Sequence, residues 1–585
     1  MPSQQPTDEA ESEIFFQSIS SDSSMTNRLT LSVLSTVLLL AGSAAGAAEL
    51  VLPGAGSLLQ SVQPPSLTPP SPNGTGLLLE NKASAPLPTS APFRITTIRI
   101  TGNTVFTAAL LHDLVKDAEG KELTLEQVGL LAERLTNYYH GHNYPLTRAI
   151  VPAQTIEGGV VTLEVIEARY GRLVIDNKGG VSDALLGATL SPLRPNDQIA
   201  QNTLDRSLLL LSDIPGMSVE SSMRPGQTVG TTDLFVNARP LPMMTGSAMI
   251  DNGGSRYTGQ DRASANVYLT NPLHHGDVLS ATVLSSGRNM SFGQMSYETL
   301  LNGLGTRVGG TGSALRYVLG DTLSAIGGHG SANVASLWVK QPLVRSQRHN
   351  VYAQLQVDGF WLNDIVDTAD TQKNRTLRST ALSLNGDVRD LVPQGLTSWK
   401  ASVSAGKLRF LNADAQLADS DSAQTEGSFV KYNVWANHTQ TFTARDSLYV
   451  ALSGQRANTN LDQSQKMTVG GPASVRAYAT GALSGDNGVL MTVELRHLLD
   501  GPDWGPAGLW QLRAFVDSAR LSINQTPWTS SINQATLSGA GVGLVWAGTQ
   551  QFTVQLTLAE IIGKVPALMS NSSKARAWAV FSKGF

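Results

Sequence analysis

There is no cysteine anywhere in the 585 residues. That excludes thiolate metal sites and disulfide frameworks, and it suits a chain that crosses an oxidising compartment. Charge is scarce too: charged residues make up 15% of the chain, against roughly 25% in an ordinary soluble protein. The net charge of −4 lacks the basic excess that nucleic-acid binding usually brings, so no nucleic-acid partner is expected. Mean hydropathy is near zero, and past the N-terminal region no apolar run reaches the about 20 residues that a membrane helix needs. No G-x-x-x-x-G-K-[ST] phosphate loop occurs. The nine histidines form no Ser/His or paired-carboxylate constellation with their neighbours. We therefore expect no catalytic residues, no metal and no cofactor, and read the chain as not an enzyme.

What is present begins with a leader. From Met25, Arg28 supplies a positive end, Leu29 to Leu40 an apolar core, and Ala45-Gly46-Ala47 a small-residue cleavage site. Residues 25–47 thus read as a secretory signal peptide, and the polar, acidic residues 1–24 as an upstream extension absent from the mature chain. Residues 48–92 are rich in Pro and Ser, with PPSLTPPSPNG at their centre, the composition of an extended linker. Within it GAGSLLQSV (54–62) has the pattern of a short amphipathic helix.

From Phe93 the periodicity changes. FRITTIRITGN reads as a strand ending in a Gly-Asn turn. Leu110, Leu111, Leu114 and Val115 recur at helical spacing, and a second helix starts at Thr124 with Gln127 as its capping-box partner. TRAIVPAQTI and VVTLEVIEA then read as strands joined by Glu157-Gly158-Gly159. The order strand, helix, helix, strand, strand recurs more weakly through RLVIDN, DALLGATL, the Leu204, Leu208, Leu211 stripe, MSVESSM and DLFVNA. Two consecutive copies of one small α+β unit, 93–169 and 170–240, are the simplest account.

After residue 241 helical periodicity gives way to alternation. VYAQLQVD sets Val351, Ala353, Leu355 and Val357 against Tyr352, Gln354, Gln356 and Asp358. VLMTVELRH sets Val489, Met491, Val493 and Leu495 against Thr492, Glu494 and Arg496. A soluble sandwich alternates as well, but rarely over so long a single unit. With a leader and no spanning helix, residues 241–585 read as a transmembrane β-barrel, apolar outside and polar within. At roughly 20 residues per strand and turn the region holds about 16 antiparallel strands. Trp546 falls on the apolar side, as an interfacial girdle residue would. Phe581 and Phe585 mark a C-terminal barrel strand, with Lys583 between them on the same face and able to snorkel.

One segment resists that pattern. VGGPASVRAYATGALSGDNG (469–488) is glycine-rich yet holds a single cation, Arg476, near Tyr478. Its flanks are strands, which excludes a phosphate cradle. A plain surface hairpin is one account; a loop folded back into the lumen is another, because QLRAFVDSARL turns Arg513, Phe515 and Asp517 inward and offers Arg476 a carboxylate.

The two α+β units followed by this barrel resemble the POTRA-barrel transporters of two-partner secretion, the ShlB/FhaC/HecB-like family. VPAQTIEGGVVTLEVIEA is similar to that family's POTRA strands, GGPASVRAYATGALSGDNG to its sixth-loop segment with the V-R-G-Y/F tetrad, and FVDSA to its F-x-D-x-G strand. The resemblance implies a bacterial outer-membrane protein with periplasmic POTRA domains. Its partners would be a large secreted exoprotein of haemolysin or haemagglutinin type, outer-membrane lipid, and the barrel-assembly machinery. It implies a loop lock made by Val475, Arg476 and Tyr478 against Phe515 and Asp517 on the barrel wall. The pair either braces the loop or takes part in transport. Alanine at 477 and at 519 replaces family glycines, and if those positions need positive φ the local backbone must differ. The 54–62 segment is similar to the start of the family's plug helix. The alternatives are a barrel-assembly protein and a passive porin.

Overall fold

The computed structural model describes residues 52–62, 77–79, 88–500, 506–569 and 573–585. The expected upstream extension and signal peptide lie outside the described residues.

Sixteen strands close into one antiparallel barrel. The first six are β1 (Met244–Asp251), β2 (Arg262–Thr270), β3 (Val278–Ser285), β4 (Met290–Leu300), β5 (Arg307–Val318) and β6 (Gly328–Arg345). Next come β7 (His349–Val366), β8 (Thr371–Arg389), β9 (Gly395–Phe410), β10 (Gly427–Thr441) and β11 (Asp446–Ala457). The last are β12 (Asn487–Leu499), β13 (Gly508–Ser522), β14 (Gln534–Gly548), β15 (Phe552–Ile561) and β16 (Ala575–Gly584). Alternation dictates the facing: Leu355 and Val357 on β7, and Met491 and Leu495 on β12, are outward and exposed, as lipid contact requires. Trp510 and Trp546 meet on that outer face with ring centroids 6.1 Å apart.

The barrel closes where β1 meets β16, through five residue pairs, Ser247↔Gly584 to Asp251↔Val580, against eight between β1 and β2. Gly246 and Phe585 exchange both backbone hydrogen bonds at 3.0 Å. The Phe585 ring covers Gly246, where a Cβ would stand 2.5 Å from Cζ. Lys583 places its ammonium 4.3 Å from the centroid of the Phe552 ring and donates to the Gln550 carbonyl, so it leaves the apolar belt toward the turn.

Within the expected polar lumen one patch is apolar. An eight-residue helix, α1 (Ala55–Val62), lies inside the barrel. It buries Leu58, Leu59 and Val62 against inward-facing Leu315, Phe360, Leu377, Leu408 and Phe429. Part of the inner wall is thus an apolar seat for one helix. Asp364 holds the helix start, accepting from the Ala55 N–H at 2.6 Å, a favourable charge at a helix N-terminus.

The two α+β units precede the barrel. In the first, α2 (Ala108–Asp113) and α3 (Leu125–Gly141) pack on a three-stranded sheet. The Thr124–Gln127 capping box forms as the residues predict. FRITTIRITGN breaks in two rather than running as one strand. Phe93–Arg94 pairs with Glu122–Leu123, while Thr97–Thr101 pairs in parallel with Val160–Ile166. TRAIVPAQTI is ordered as a strand only over Arg148–Ile150, since Pro152 cannot donate to a ladder. In the second unit, α4 (Asp183–Leu190) and α5 (Gln201–Ser212) pack over strands Arg169–Asn177, Met217–Pro225 and Thr231–Pro240. The 48–92 segment is not wholly an unpaired linker, because Leu77–Leu79 adds in parallel to Ser221–Met223.

The second unit docks on the barrel's periplasmic turns. Asp213, capping α5, accepts from buried Arg345 at 2.7 and 2.8 Å, and its carbonyl accepts from Arg307 at 2.6 Å. Gly303 lies so close to α4 that a Cβ would stand 2.3 Å from the Ala188 backbone.

Between the two units sits a buried carboxylate, Glu167. It accepts from the backbone N–H groups of Thr104 (2.7 Å) and Val105 (2.8 Å), from the Thr104 hydroxyl, and from Tyr139 Oη at 2.9 Å. Burial pushes this carboxyl up, but the hydrogen bonds from Thr104, Val105 and Tyr139 outweigh it and hold it below the usual glutamate value of 4.5. The folded value is the lower one, so the stabilisation is full above the unfolded pKa and disappears as pH falls through the folded one. Glu167→Gln should speed amide hydrogen exchange at residues 104–106 at neutral pH. The gap to the wild-type chain should close in acid, as pH falls through the lowered folded value.

Candidate functional site: a loop locked inside the barrel

The chain between β11 and β12 folds back into the lumen. Met467–Val469 and Leu483–Gly485 pair as a small hairpin that carries the segment inward. The turn needs glycine at 470: φ is 102°, and a Cβ would stand 2.2 Å from the Ala479 carbonyl. Tyr478 N–H donates to the Val475 carbonyl (3.1 Å) and Gly471 N–H to the Tyr478 carbonyl (3.0 Å), which tightens the tip.

At that tip Arg476 meets its expected partners. Its Nε donates to Asp517 Oδ2 at 2.8 Å and its Nη2 to Oδ1 at 2.9 Å, a bidentate fork. Its backbone N–H adds a third bond to Oδ2 at 3.1 Å. Phe515 lies under the guanidinium, 3.3 Å from ring centroid to Cζ. Asp517, Val475 and Tyr478 have no exposed surface, and Arg476 keeps 8%. The residues come together because β13 alternates: Phe515 and Asp517 point inward together with Arg513.

Sequence reasoning missed half of the site. Glu494 accepts from Arg476 Nη1 at 2.6 Å and from Arg496 at 2.8 Å. Thr492 donates to Asp517 at 2.9 Å, and Trp578 Nε1 donates to the Arg476 carbonyl at 2.7 Å. The alternation of VLMTVELRH had already turned Thr492, Glu494 and Arg496 inward; only the register was missing. Thr492, Asp517 and Gly539 lie in one row across β12, β13 and β14.

That row resolves the two alanines. Neither Ala477 nor Ala519 has positive φ, so the expected backbone difference does not arise. Ala477 is accommodated from the wall: a Cβ on Gly539 would stand 2.4 Å from the Ala477 Cβ. Ala519 sits in the β13 ladder and packs in the same buried cluster as Tyr478 and Leu537.

A second buried arginine, also unforeseen, lies near α1. Arg375 donates to Asp462 at 2.6 Å and to Asp364 at 2.7 Å. Asp462 belongs to the inward loop and Asp364 caps α1, so one side chain joins both occupants of the lumen. Gly56 touches the loop directly: a Cβ there would stand 2.6 Å from the Ser464 nitrogen. Phe581 and Phe585 lie on the outer face of the closing strand, away from this site. No cluster suited to a metal ion occurs among the described residues.

A closed sixteen-stranded barrel, two POTRA-like units and an arginine-locked inward loop define an outer-membrane POTRA-barrel protein. The family model described as haemolysin secretion/activation protein ShlB/FhaC/HecB matches residues 230–546, more than half of the chain, and the chain belongs to that family. An ShlB-type POTRA domain matches residues 93–168. The heme/hemopexin transporter protein HuxB of Haemophilus influenzae is 25% identical over 82% of this chain and 85% of its own length. The outer membrane transporter CdiB of Dickeya dadantii is 23% identical over 74% and 76%. Among solved structures, CdiB from Escherichia coli superposes with a TM-score of 0.68 at 18% identity, covering 86% of this chain and 93% of that one. The protein is an outer-membrane two-partner secretion transporter that moves a partner exoprotein to the cell surface, with its POTRA domains in the periplasm.

Proposed function

We propose that the exoprotein is captured unfolded, by strand addition to the POTRA sheets, and then crosses the barrel as α1 and the inward loop yield. The observation that carries this reading is the pairing of Leu77–Leu79 with Ser221–Met223. An edge that accepts an extended segment of its own chain through backbone hydrogen bonds is suited to an extended client of almost any sequence. In the resting state α1 plugs the lumen and the Arg476 lock holds the loop beside it. Export then draws no energy from a nucleotide, since folding of the client outside makes movement one-way. Along this path the protein acts as a conduit. Phe581 and Phe585, outward on the closing strand, would present the chain to the barrel-assembly machinery.

Deleting residues 93–240 tests the capture step. Secretion of the partner exoprotein should be abolished while the barrel still inserts, as judged by heat-modifiable mobility on a gel. Depletion of many unrelated outer-membrane proteins instead would make this a barrel-assembly protein, and unchanged secretion would make the POTRA units mere spacers.

A further inference from the structure

The outer wall carries a feature that transport does not use. On β8 and β9, Arg378 and Lys407 are directly opposite each other, and Arg409 stands in the adjacent row across from Thr376. All three face outward, with Leu382 on β8 and Ala405 on β9, and all three are exposed. None has an ion pair or hydrogen bond among the described residues. Two like charges directly opposite on a sheet repel. The nearby carboxylate of Glu426 is taken up by the Phe410 N–H and by Gln416, so the patch calls for an anion from outside the chain.

Height on the wall identifies where that anion comes from. One row toward the periplasm the outward residues are Leu337, Val357, Thr380, Ala405 and Val430 on β6, β7, β8, β9 and β10, which carry no charge and form lipid-facing surface. Trp361 of β7 is half exposed beside Arg378, and its ring lies over Gly359, where a Cβ would stand 3.1 Å from Cη2. An outward tryptophan marks a membrane interface. Outward Trp399, lower on β9, lies about 20 Å below Lys407 at the usual rise and tilt, close to the height of an apolar band of about 25 Å. The three cations therefore stand at the outer rim of the hydrocarbon, at headgroup level in the outer leaflet.

We propose that Arg378, Lys407 and Arg409 form a binding site for the phosphate groups of a phosphorylated glycolipid of the outer leaflet, with Trp361 against its acyl chains or sugar. Two guanidinium forks and one ammonium suit a phosphate monoester better than a neutral headgroup. The inference rests on the outer-membrane placement of the barrel and not on what passes through it, so secretion assays leave it untouched.

The test uses the full-length protein in detergent, titrated with phosphorylated lipid A and read by native mass spectrometry. The wild-type chain should bind lipid A, and R378Q/K407Q/R409Q about a hundredfold more weakly, given roughly fivefold per cation at an anionic surface. Enzymatically dephosphorylated lipid A should bind the wild-type chain as poorly. Arg520→Gln, removing an outward cation on β13 that hydrogen-bonds Gln534 at 3.0 Å, should bind normally. Heat-modifiable mobility verifies that each variant is folded. Equal binding by the triple variant, equal binding of the dephosphorylated lipid, an equal loss in Arg520→Gln, or full displacement by inorganic phosphate would each overturn the site.

Discussion

Replacing Arg476 by alanine should leave the barrel folded in the outer membrane and sharply reduce export. The substitution strands buried Asp517, which loses the whole guanidinium fork, and takes from Glu494 one of its arginines while leaving Arg496 in place. Removing one partner of a buried pair costs about 3–5 kcal/mol, more than a hundredfold in the ratio of seated to unseated loop. The ladder that closes the barrel runs through backbone groups, so insertion survives. The loss should appear as exoprotein missing from the medium and as new protease cleavage within residues 458–486. Lysine at 476 keeps the charge but loses the fork and the stacking over Phe515, so it should fall between. Full export by Arg476→Ala would reduce the lock to a brace with no part in transport.

Gly56→Val should open the pore. Gly56 sits where α1 crosses the inward loop, and any Cβ there meets the Ser464 backbone, at 2.6 Å from its nitrogen. Backbone does not move aside as a flexible side chain does, and overpacking a seated helix by a whole side chain costs about 1–3 kcal/mol. The eight residues of α1 are too few to hold a helix once the seat is lost. We expect larger and steadier conductance in planar bilayers, and sensitivity of cells to bulky antibiotics the outer membrane normally excludes. An unchanged conductance would mean that α1 does not close the conduit. Glu494→Gln, which touches the lock but not α1, serves as the comparison, and its conductance should rise less.

The barrel was legible because lipid imposes a rule on every strand: alternate residues must be apolar, and Val351, Leu355 and Val357 obey it. The same rule placed Asp517 inward and made it available to Arg476. What alternation does not encode is register. Glu494 was known to face the lumen, yet only its pairing opposite Phe515 brings it under Arg476. Gly539 was silent for the same reason, its meaning residing in Ala477, far away in sequence. The apolar seat of α1 was hidden differently. Leu377 follows Arg375 and precedes Ser379 on the inner face of β8, and a single leucine among polar neighbours reads as noise until five strands each contribute an apolar residue. At the periplasmic end, Pro152 and the broken FRITTIRITGN strand reflect tertiary pairing overriding local propensity.

Closure through Ser247–Asp251 and Val580–Gly584 has a consequence for biogenesis. These partners are more than three hundred residues apart, so the ring obtains its last hydrogen bonds only when its extremes are present together. Every incomplete intermediate exposes two raw edges of N–H and C=O groups, which hydrocarbon tolerates poorly and other chains readily zip onto. A topology of such high contact order folds slowly, and the chain must be held soluble throughout. Supply of holding chaperones in the periplasm, rather than intrinsic stability, should therefore set how many copies reach the surface.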